Sequence, residues 1–158
     1  MGAPSESVGM RLAAATDDPE AVLSSFAAVH GIGAFAFGTG LVVSDLLGRD
    51  SQSPAYAYVQ AVPGWPWLIG VTFIACGLLI MWARIKPKDD HLVAATAFFV
   101  LTAATAVYGM LFALGTAVSG SSLIGPQFLY FTMAALYGLH SLTSWSLFLT
   151  RRADGVDH

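Results

Sequence analysis

The chain has 158 residues, of which 56% are hydrophobic and only 11% are charged. A soluble domain normally carries about 25% charged residues, so this composition excludes an ordinary soluble protein. The net charge of −3 and the scattered basic residues offer no surface suited to nucleic acid. The single cysteine, Cys76, excludes an intrachain disulfide framework, and its place in an apolar run predicts a buried side chain.

The apolar residues form four long runs, each able to cross about 30 Å of hydrocarbon as an α-helix. The predicted spans are residues 21–47, 66–85, 91–117 and 126–150. Backbone groups in lipid must bond within their own segment, and the runs show no strand-like alternation. The sequence therefore predicts an all-α integral membrane protein, a four-transmembrane-helix up-down bundle. Residues 1–20 are expected to form a polar segment without secretory-signal features, and residues 151–158 a tail.

The connection between the first two spans is rich in aromatic residues, whose rings favour the headgroup zone of a bilayer. A short interfacial helix is predicted around Ala55–Ala61. The predicted interfacial anchors are Tyr56, Tyr58, Trp65, Trp67 and Trp82. Asp45 is expected near the outer end of the first span, reaching water or pairing with Arg49, and His91 is expected to be solvated.

The basic residues indicate the orientation of the chain. Four spans place both tails and the middle connection on one side, which then holds Arg11, Arg84, Lys86, Lys88, Arg151 and Arg152. The other side holds only Arg49. Basic residues near span ends are retained in the cytoplasm, so a bacterial inner-membrane protein with both termini in the cytoplasm is predicted.

Small residues recur at helical spacing on one face of each span. Such a face lets the backbone of a neighbouring helix approach closely, and this close packing favours helix association in lipid. The predicted helix-packing residues are Gly31, Ala34, Gly38, Gly70, Gly77, Ala134 and Gly138. Two uses of these faces stay open at this stage. They can pack one bundle together, or they can form a homo-oligomer.

Two histidines within the spans are candidates for function, since ionisable groups in lipid are costly. His30 and His140 both lie about 15 Å from the inner boundary, on helices that are commonly neighbours in an up-down bundle. With nearby hydroxyls they define a predicted intramembrane polar seam. Its members are Ser24, Ser25, His30, His140, Ser141 and Ser144. Fixing the register of two helices is one reading of this seam. A pair of axial ligands for haem b and a proton or ion path are the others.

Sequence motifs of common enzymes are missing. There is no phosphate-binding G-x-x-x-x-G-K-[ST], no H-E-x-x-H and no G-x-S-x-G. Gly31-Ile32-Gly33 lies inside a spanning run with no strand before it, so it is not a phosphate cradle. A protein without enzymatic activity is expected.

Several short segments carry a further signal. They are Ser53-Pro54-Ala55-Tyr56, Pro63-Gly64-Trp65-Pro66-Trp67 with Gly70, Gly77-Leu78-Leu79, and Gly138-Leu139-His140. Together they resemble small four-span membrane proteins of actinobacterial bacteriophages. Some proteins of that kind are assigned as holins, so the resemblance implies a holin-like role through self-association. The short C-terminal tail, residues 151–158, departs from the strongly basic tail of the common holin.

Three hypotheses about function follow from the sequence. The first is a non-enzymatic protein that self-associates in the inner membrane, as a phage holin does. The second is an accessory or binding subunit of a larger membrane complex. No cofactor is expected, except in one form of this second hypothesis, in which His30 and His140 ligate haem b. The third, an enzyme, has no residues to support it. The lipid bilayer is the expected partner in each case, with a homo-oligomer or a larger membrane complex as further partners.

Overall fold

The structure is a computed structural model that describes residues 19–48, 57–85, 90–120, 125–153 and 155, and the regular structure of these residues is helical. Five helices follow in chain order, here named α1 to α5. They are α1 (Pro19–Leu46), α2 (Ala57–Gln60), α3 (Trp67–Ile85), α4 (His91–Ser119) and α5 (Gly125–Ala153). The four long helices begin and end within three residues of the four predicted spans.

Three of the long helices are long and apolar enough to cross a membrane. They are Ala21–Leu46, Trp67–Ile85 and His91–Ser119, with mean hydropathies of 1.7, 2.1 and 2.0. Helix α5 has 29 residues, as many as α4, but its second half is rich in hydroxyl and basic side chains, which lower its hydropathy. The chain is thus an all-helical protein suited to a membrane, and the fourth crossing stays a prediction.

Local chemistry sets the ends of α4. The Asp90 side chain accepts a hydrogen bond of 3.2 Å from the Val93 backbone N–H, which satisfies one of the free donors of the first turn. Gly120 ends the helix with φ of +65°, a left-handed conformation that costs glycine little. The Asp90 backbone N–H also donates to the Ala83 carbonyl at 3.2 Å, so the end of α3 is tied to the start of α4.

Helices α1 and α3 pack backbone to backbone through two pairs of glycines. A Cβ built on Gly38 would lie 2.5 Å from the Gly70 carbonyl oxygen, and one on Gly77 would lie 2.6 Å from that of Gly31. Gly31 and Gly38 are seven residues apart on α1, as are Gly70 and Gly77 on α3. The antiparallel helices therefore meet at two points, two turns apart, where any larger side chain would hold them apart.

Helices α4 and α5 form the second extensive pair. A Cβ on Gly109 would lie 3.1 Å from the Tyr130 Cβ, and the Ser141 hydroxyl donates to the Ala95 carbonyl at 2.9 Å. The central core joins the two pairs, mainly through α3 and α4, where Phe73, Ile80, Phe98 and Leu101 are buried. Cys76 is 5% exposed and belongs to this core, as predicted.

Helix α2 lies within the predicted helix at Ala55–Ala61, whose first two residues are outside the described part of the chain. It covers Ala57–Gln60, and its Val59 side chain is fully buried against Tyr108 and Phe112 of α4. The Trp65 ring stacks on Tyr108 with centroids 5.1 Å apart and planes at 18°. The connection between α1 and α3 is therefore held on the bundle by side chains as well as by any contact with lipid.

Candidate functional site

His30 of α1 and His140 of α5 are in direct contact within the helical bundle. The His140 Nε2 atom lies 3.0 Å from the His30 Nδ1 atom, and the ring planes are at 79° with centroids 4.7 Å apart. Tyr137 meets the His30 ring edge-on at 5.9 Å, and Phe98 meets the His140 ring at 5.1 Å. The two imidazole rings thus pack edge to face, and aromatic side chains contact both of them.

The hydrogen-bond partners assign the protons of this pair. The His30 Nδ1 atom also lies 2.9 Å from the Phe26 carbonyl oxygen, which can only accept. The Nδ1 atom therefore carries a proton, which it shares between the Phe26 carbonyl and the lone pair on His140 Nε2. His140 is then the tautomer protonated at Nδ1. The opposite assignment would bring two lone pairs together at 2.9 Å.

A small polar cavity lies beside His140, at the end of the bundle where α3 is tied to α4. It has a volume of about 10 Å³, close to the space that one water molecule needs. The lining side chains come from all four long helices: Leu23, Ala27, Arg84, His91, His140, Thr143, Ser144 and Leu147. Arg84 donates from Nη2 to the Ser144 hydroxyl oxygen at 3.4 Å. The cavity is polar on one side and can hold a hydrogen-bonded water.

The burial of His91 corrects the expectation that this residue is solvated. Its side chain is only 4% exposed, and it lies at the cavity with Arg84. Asp90, directly before His91, caps α4 and bonds back to Ala83 near the end of α3. These two bonds hold the start of α4 against α3, with the first side chain of α4 inward. Neither Arg84 nor His91 was among the predicted site residues, because the charge of the connection suggested a solvated turn.

The structure separates the predicted members of the polar seam. Ser144 is 3% exposed and lies at the cavity, while Ser141 bonds across to α4 instead of toward α1. Ser25 lies on the exposed face of α1, where its hydroxyl donates to the Ala21 carbonyl at 2.9 Å. Ser24 is half-buried on α1. Among the predicted seam residues, His30 and His140 therefore make the polar contact between α1 and α5.

The predicted packing residues lie between helices of the same chain. Ala34 and the four glycines of α1 and α3 are buried, as is Ala134 on α5, while Gly138 is half-buried near Thr102. These faces are occupied inside the bundle. Using them for contacts between copies would require the helices to separate.

The predicted interfacial anchors have mixed surroundings. Tyr56 and Arg49 lie outside the described residues. Trp82 is 49% exposed, and Tyr58 is also exposed. Trp67 is exposed as well, and its indole N–H donates to the Asp45 carboxylate at 2.8 Å, so Asp45 is bound to α3.

The α1–α5 interface is the loosest contact between adjacent long helices. The backbones of α1 and α5 approach each other at most at an isolated point within the described residues. On one side of the histidine pair lies the polar cavity. On the other lies an apolar groove of about 230 Å³, with walls that include Gly33, Phe37, Met133 and Tyr137. The histidine pair thus bridges a gap between two helices.

The geometry bears on the haem hypothesis. Two ligands on opposite sides of a metal stand about 4 Å apart, twice a metal–nitrogen bond of about 2 Å. The facing nitrogens of His30 and His140 are 3.0 Å apart, and a hydrogen bond fills the space between them. Haem ligation would need another arrangement of these helices. In the described part of the chain, no three His, Cys, Asp or Glu side chains are grouped as a metal site.

Comparison with protein-family models, with curated proteins and with solved structures finds no match for this chain.

Proposed function

We propose that this protein acts by self-association in the bacterial inner membrane and permeabilises it, as a holin-like protein without enzymatic activity. All four long helices cross the membrane in this proposal, with both termini in the cytoplasm. The low hydropathy of α5 is compatible with a crossing, because Ser141 and Ser144 bond inside the bundle and His140 bonds to His30. Polar side chains that face other helices need not meet lipid.

The single observation that carries the proposal is the construction of the α1–α5 interface. The glycine pairs bind α1 closely to α3, and α4 packs extensively on α5. Between these two pairs, on the α1–α5 side, the His30 ring contacts His140 and Tyr137 between a cavity and a groove. Opening this side breaks side-chain contacts but little close backbone packing, and the contact between α3 and α4 can serve as the hinge.

Opening of the α1–α5 interface would also favour self-association. The surfaces of the open interface carry His30, His140, Arg84 and Ser144, which cannot stay in hydrocarbon without partners. Polar surfaces from several copies would then meet each other or enclose water. The apolar faces of the helices remain toward the lipid throughout. A water-filled lesion lined by the former interior follows from this arrangement.

The experiment that tests the proposal is inducible expression in a bacterial host with a cytoplasmic endolysin co-produced. Membrane potential, growth and lysis are followed after induction, and membrane insertion is checked on the same samples. We expect abrupt loss of potential followed by lysis. Sustained growth and potential with correctly inserted protein would contradict the proposal.

A pair of variants tests the role of the interface. Replacement His140→Leu removes the bridge between α1 and α5, so we expect depolarisation to begin earlier after induction than with the parent. The control is Leu142→Ala on the same helix, a lipid-facing position that is 70% exposed, which should leave the onset unchanged. A delay or no change in His140→Leu, at equal protein levels, would contradict opening at this interface.

A further inference from the structure

The tautomers of the histidine pair determine where a further proton can bind on His140. Its Nδ1 already carries a proton in the arrangement assigned above, so Nε2 is the atom with a free lone pair. That same lone pair accepts the hydrogen bond from His30 Nδ1 at 3.0 Å. Proton binding at His140 and the hydrogen bond to His30 therefore exclude each other.

A rearrangement of His30 cannot easily preserve the contact. His30 would have to move its proton to Nε2 and accept a hydrogen bond at Nδ1. This would bring the lone pair of Nδ1 to 2.9 Å from the Phe26 carbonyl oxygen, and two acceptor atoms repel each other at that distance. The local backbone thus holds His30 in its donor role.

The polar cavity supplies a route for the proton to His140. His140 forms part of its wall, whereas His30 does not, and its volume of about 10 Å³ suits one water. The cavity lies at one end of the bundle, where Arg84 is in the last turn of α3 and His91 is the first residue of α4. In the proposed orientation this end faces the cytoplasm.

We propose that His140 is a proton-binding site loaded through the polar cavity, and that proton binding releases His30 and opens the α1–α5 interface. As the His30 N–H leaves the Nε2 lone pair, a hydronium ion in the cavity gives its proton to His140 Nε2 and leaves water, and the resulting imidazolium N–H can no longer accept from His30. This inference deepens the proposed function and rests on it for its biological meaning, since it supplies the signal that would start permeabilisation.

Charged and titratable groups surround His140 on every helix packed against it. His30 faces it from α1, Arg84 from α3 and His91 from α4, while Tyr137 lies one turn earlier on α5. Asp90 is engaged at the α4 N-terminus, where it caps Val93. A second positive charge next to the Arg84 guanidinium is repelled in a medium of low dielectric.

The test measures the α1–α5 distance directly in the full chain, at one copy per lipid nanodisc. Spin labels are placed at Val29→Cys and Leu142→Cys, positions that are 64% and 70% exposed, in a Cys76→Ala background. Distances are compared at pH about 7.5 and about 5, the range over which histidines change charge. We expect the main distance to lengthen at the lower pH.

Two variants test whether His140 causes the change in the α1–α5 distance. His140→Gln places an amide that can still accept from His30 but does not titrate, so the distance should stay short at both pH values. Ser146→Ala is the control, an exposed position on the same helix and outside the cavity lining, and it should open as the parent does. An unchanged parent distance, opening in His140→Gln, or loss of opening in Ser146→Ala would each overturn the proposal.

A second measurement avoids dependence on folding of the variants. Nitrogen-15 NMR of the unsubstituted chain should show a coupling across the His30–His140 hydrogen bond near neutral pH, and this coupling should vanish on acidification. A coupling that persists at pH about 5 would overturn the inference. Dye release from proteoliposomes separates this inference from the proposed function. If the interface opens at low pH but no dye is released, only the proposed function is contradicted. If dye is released at both pH values while the interface stays closed, only this inference is contradicted.

Discussion

Gly38 of α1 and Gly70 of α3 face each other so closely that the Gly38 Cα has no room for a side chain. A Cβ there would lie 2.5 Å from the Gly70 carbonyl oxygen and 2.8 Å from the Ile74 backbone nitrogen. Both of these are backbone atoms, which cannot turn aside as a flexible side chain can. The backbones of α1 and α3 therefore approach so closely at this point that only glycine fits.

The first prediction concerns this contact. Replacement Gly38→Ala should lower the free energy of unfolding by about 1–3 kcal/mol, the usual cost of overpacking a tight interior. The measurement is unfolding by SDS in mixed micelles, followed by circular dichroism. Gly40→Ala on the same helix is the control, because a Cβ there meets nothing within 4 Å. Its stability should be unchanged or raised by up to about 1 kcal/mol, since alanine is the better helix former. Equal effects at the two positions would show that α1 and α3 do not meet as described.

The second prediction concerns the bond between Trp67 and Asp45. Trp67→Phe keeps an aromatic ring at the end of α3 but removes the N–H that donates to the Asp45 carboxylate at 2.8 Å. We expect a loss of about 1 kcal/mol in the free energy of unfolding, measured by the same SDS titration. Trp145→Phe is the control, a tryptophan of similar exposure, 46% against 44%, whose ring contacts Phe148. If both substitutions cost the same, the loss belongs to the interfacial position and not to the hydrogen bond.

The third prediction concerns the polar contact between α4 and α5. Ser141→Ala removes the hydroxyl that donates to the Ala95 carbonyl at 2.9 Å. Hydrogen bonds between helices in membranes contribute about 0.6 kcal/mol on average and at most about 1.7 kcal/mol, so the loss of stability should fall within this range. Ser146→Ala, at an exposed position of α5, should have a smaller effect. A neutral Ser141→Ala would mean that the hydroxyl bonds equally well in the unfolded chain.

The order of elements and the depth of the two histidines were accessible from sequence. Apolar runs of spanning length locate helices directly, and 1.5 Å per residue places His30 and His140 at one level. The glycines also carry a readable signal, since the seven-residue spacing of Gly31 and Gly38 matches that of Gly70 and Gly77. The sequence does not identify which helix packs on the glycine face. The same seven-residue spacing is expected whether the face packs within one chain or between copies.

The surroundings of the histidine pair were not accessible in the same way. Arg84 and His91 lie in a short stretch of mostly charged residues, and charge alone suggests solvation. The burial of His91 and the half-buried position of Arg84 depend on tertiary contacts at Asp90, its cap on α4 and its bond to Ala83. The Trp67–Asp45 bond joins residues 22 apart in sequence, and only the register of α1 against α3 brings them together. Tertiary packing of this kind leaves no local pattern.

The last prediction tests the crossing of α5 and the orientation of the chain together. Single cysteines are placed at Ser51 and at Ala153 in a Cys76→Ala background, and spheroplasts are treated with a membrane-impermeant maleimide. With four crossings and six of seven basic residues inside, Ser51→Cys should react in intact spheroplasts and Ala153→Cys only after permeabilisation. Reaction of both in intact spheroplasts would mean that α5 does not cross, leaving three spans, as the hydropathy of the helices alone suggests. The reverse pattern, with Ala153→Cys reactive and Ser51→Cys protected, would invert the orientation. The polar cavity would then face the outside, and any proton reaching His140 would come from there.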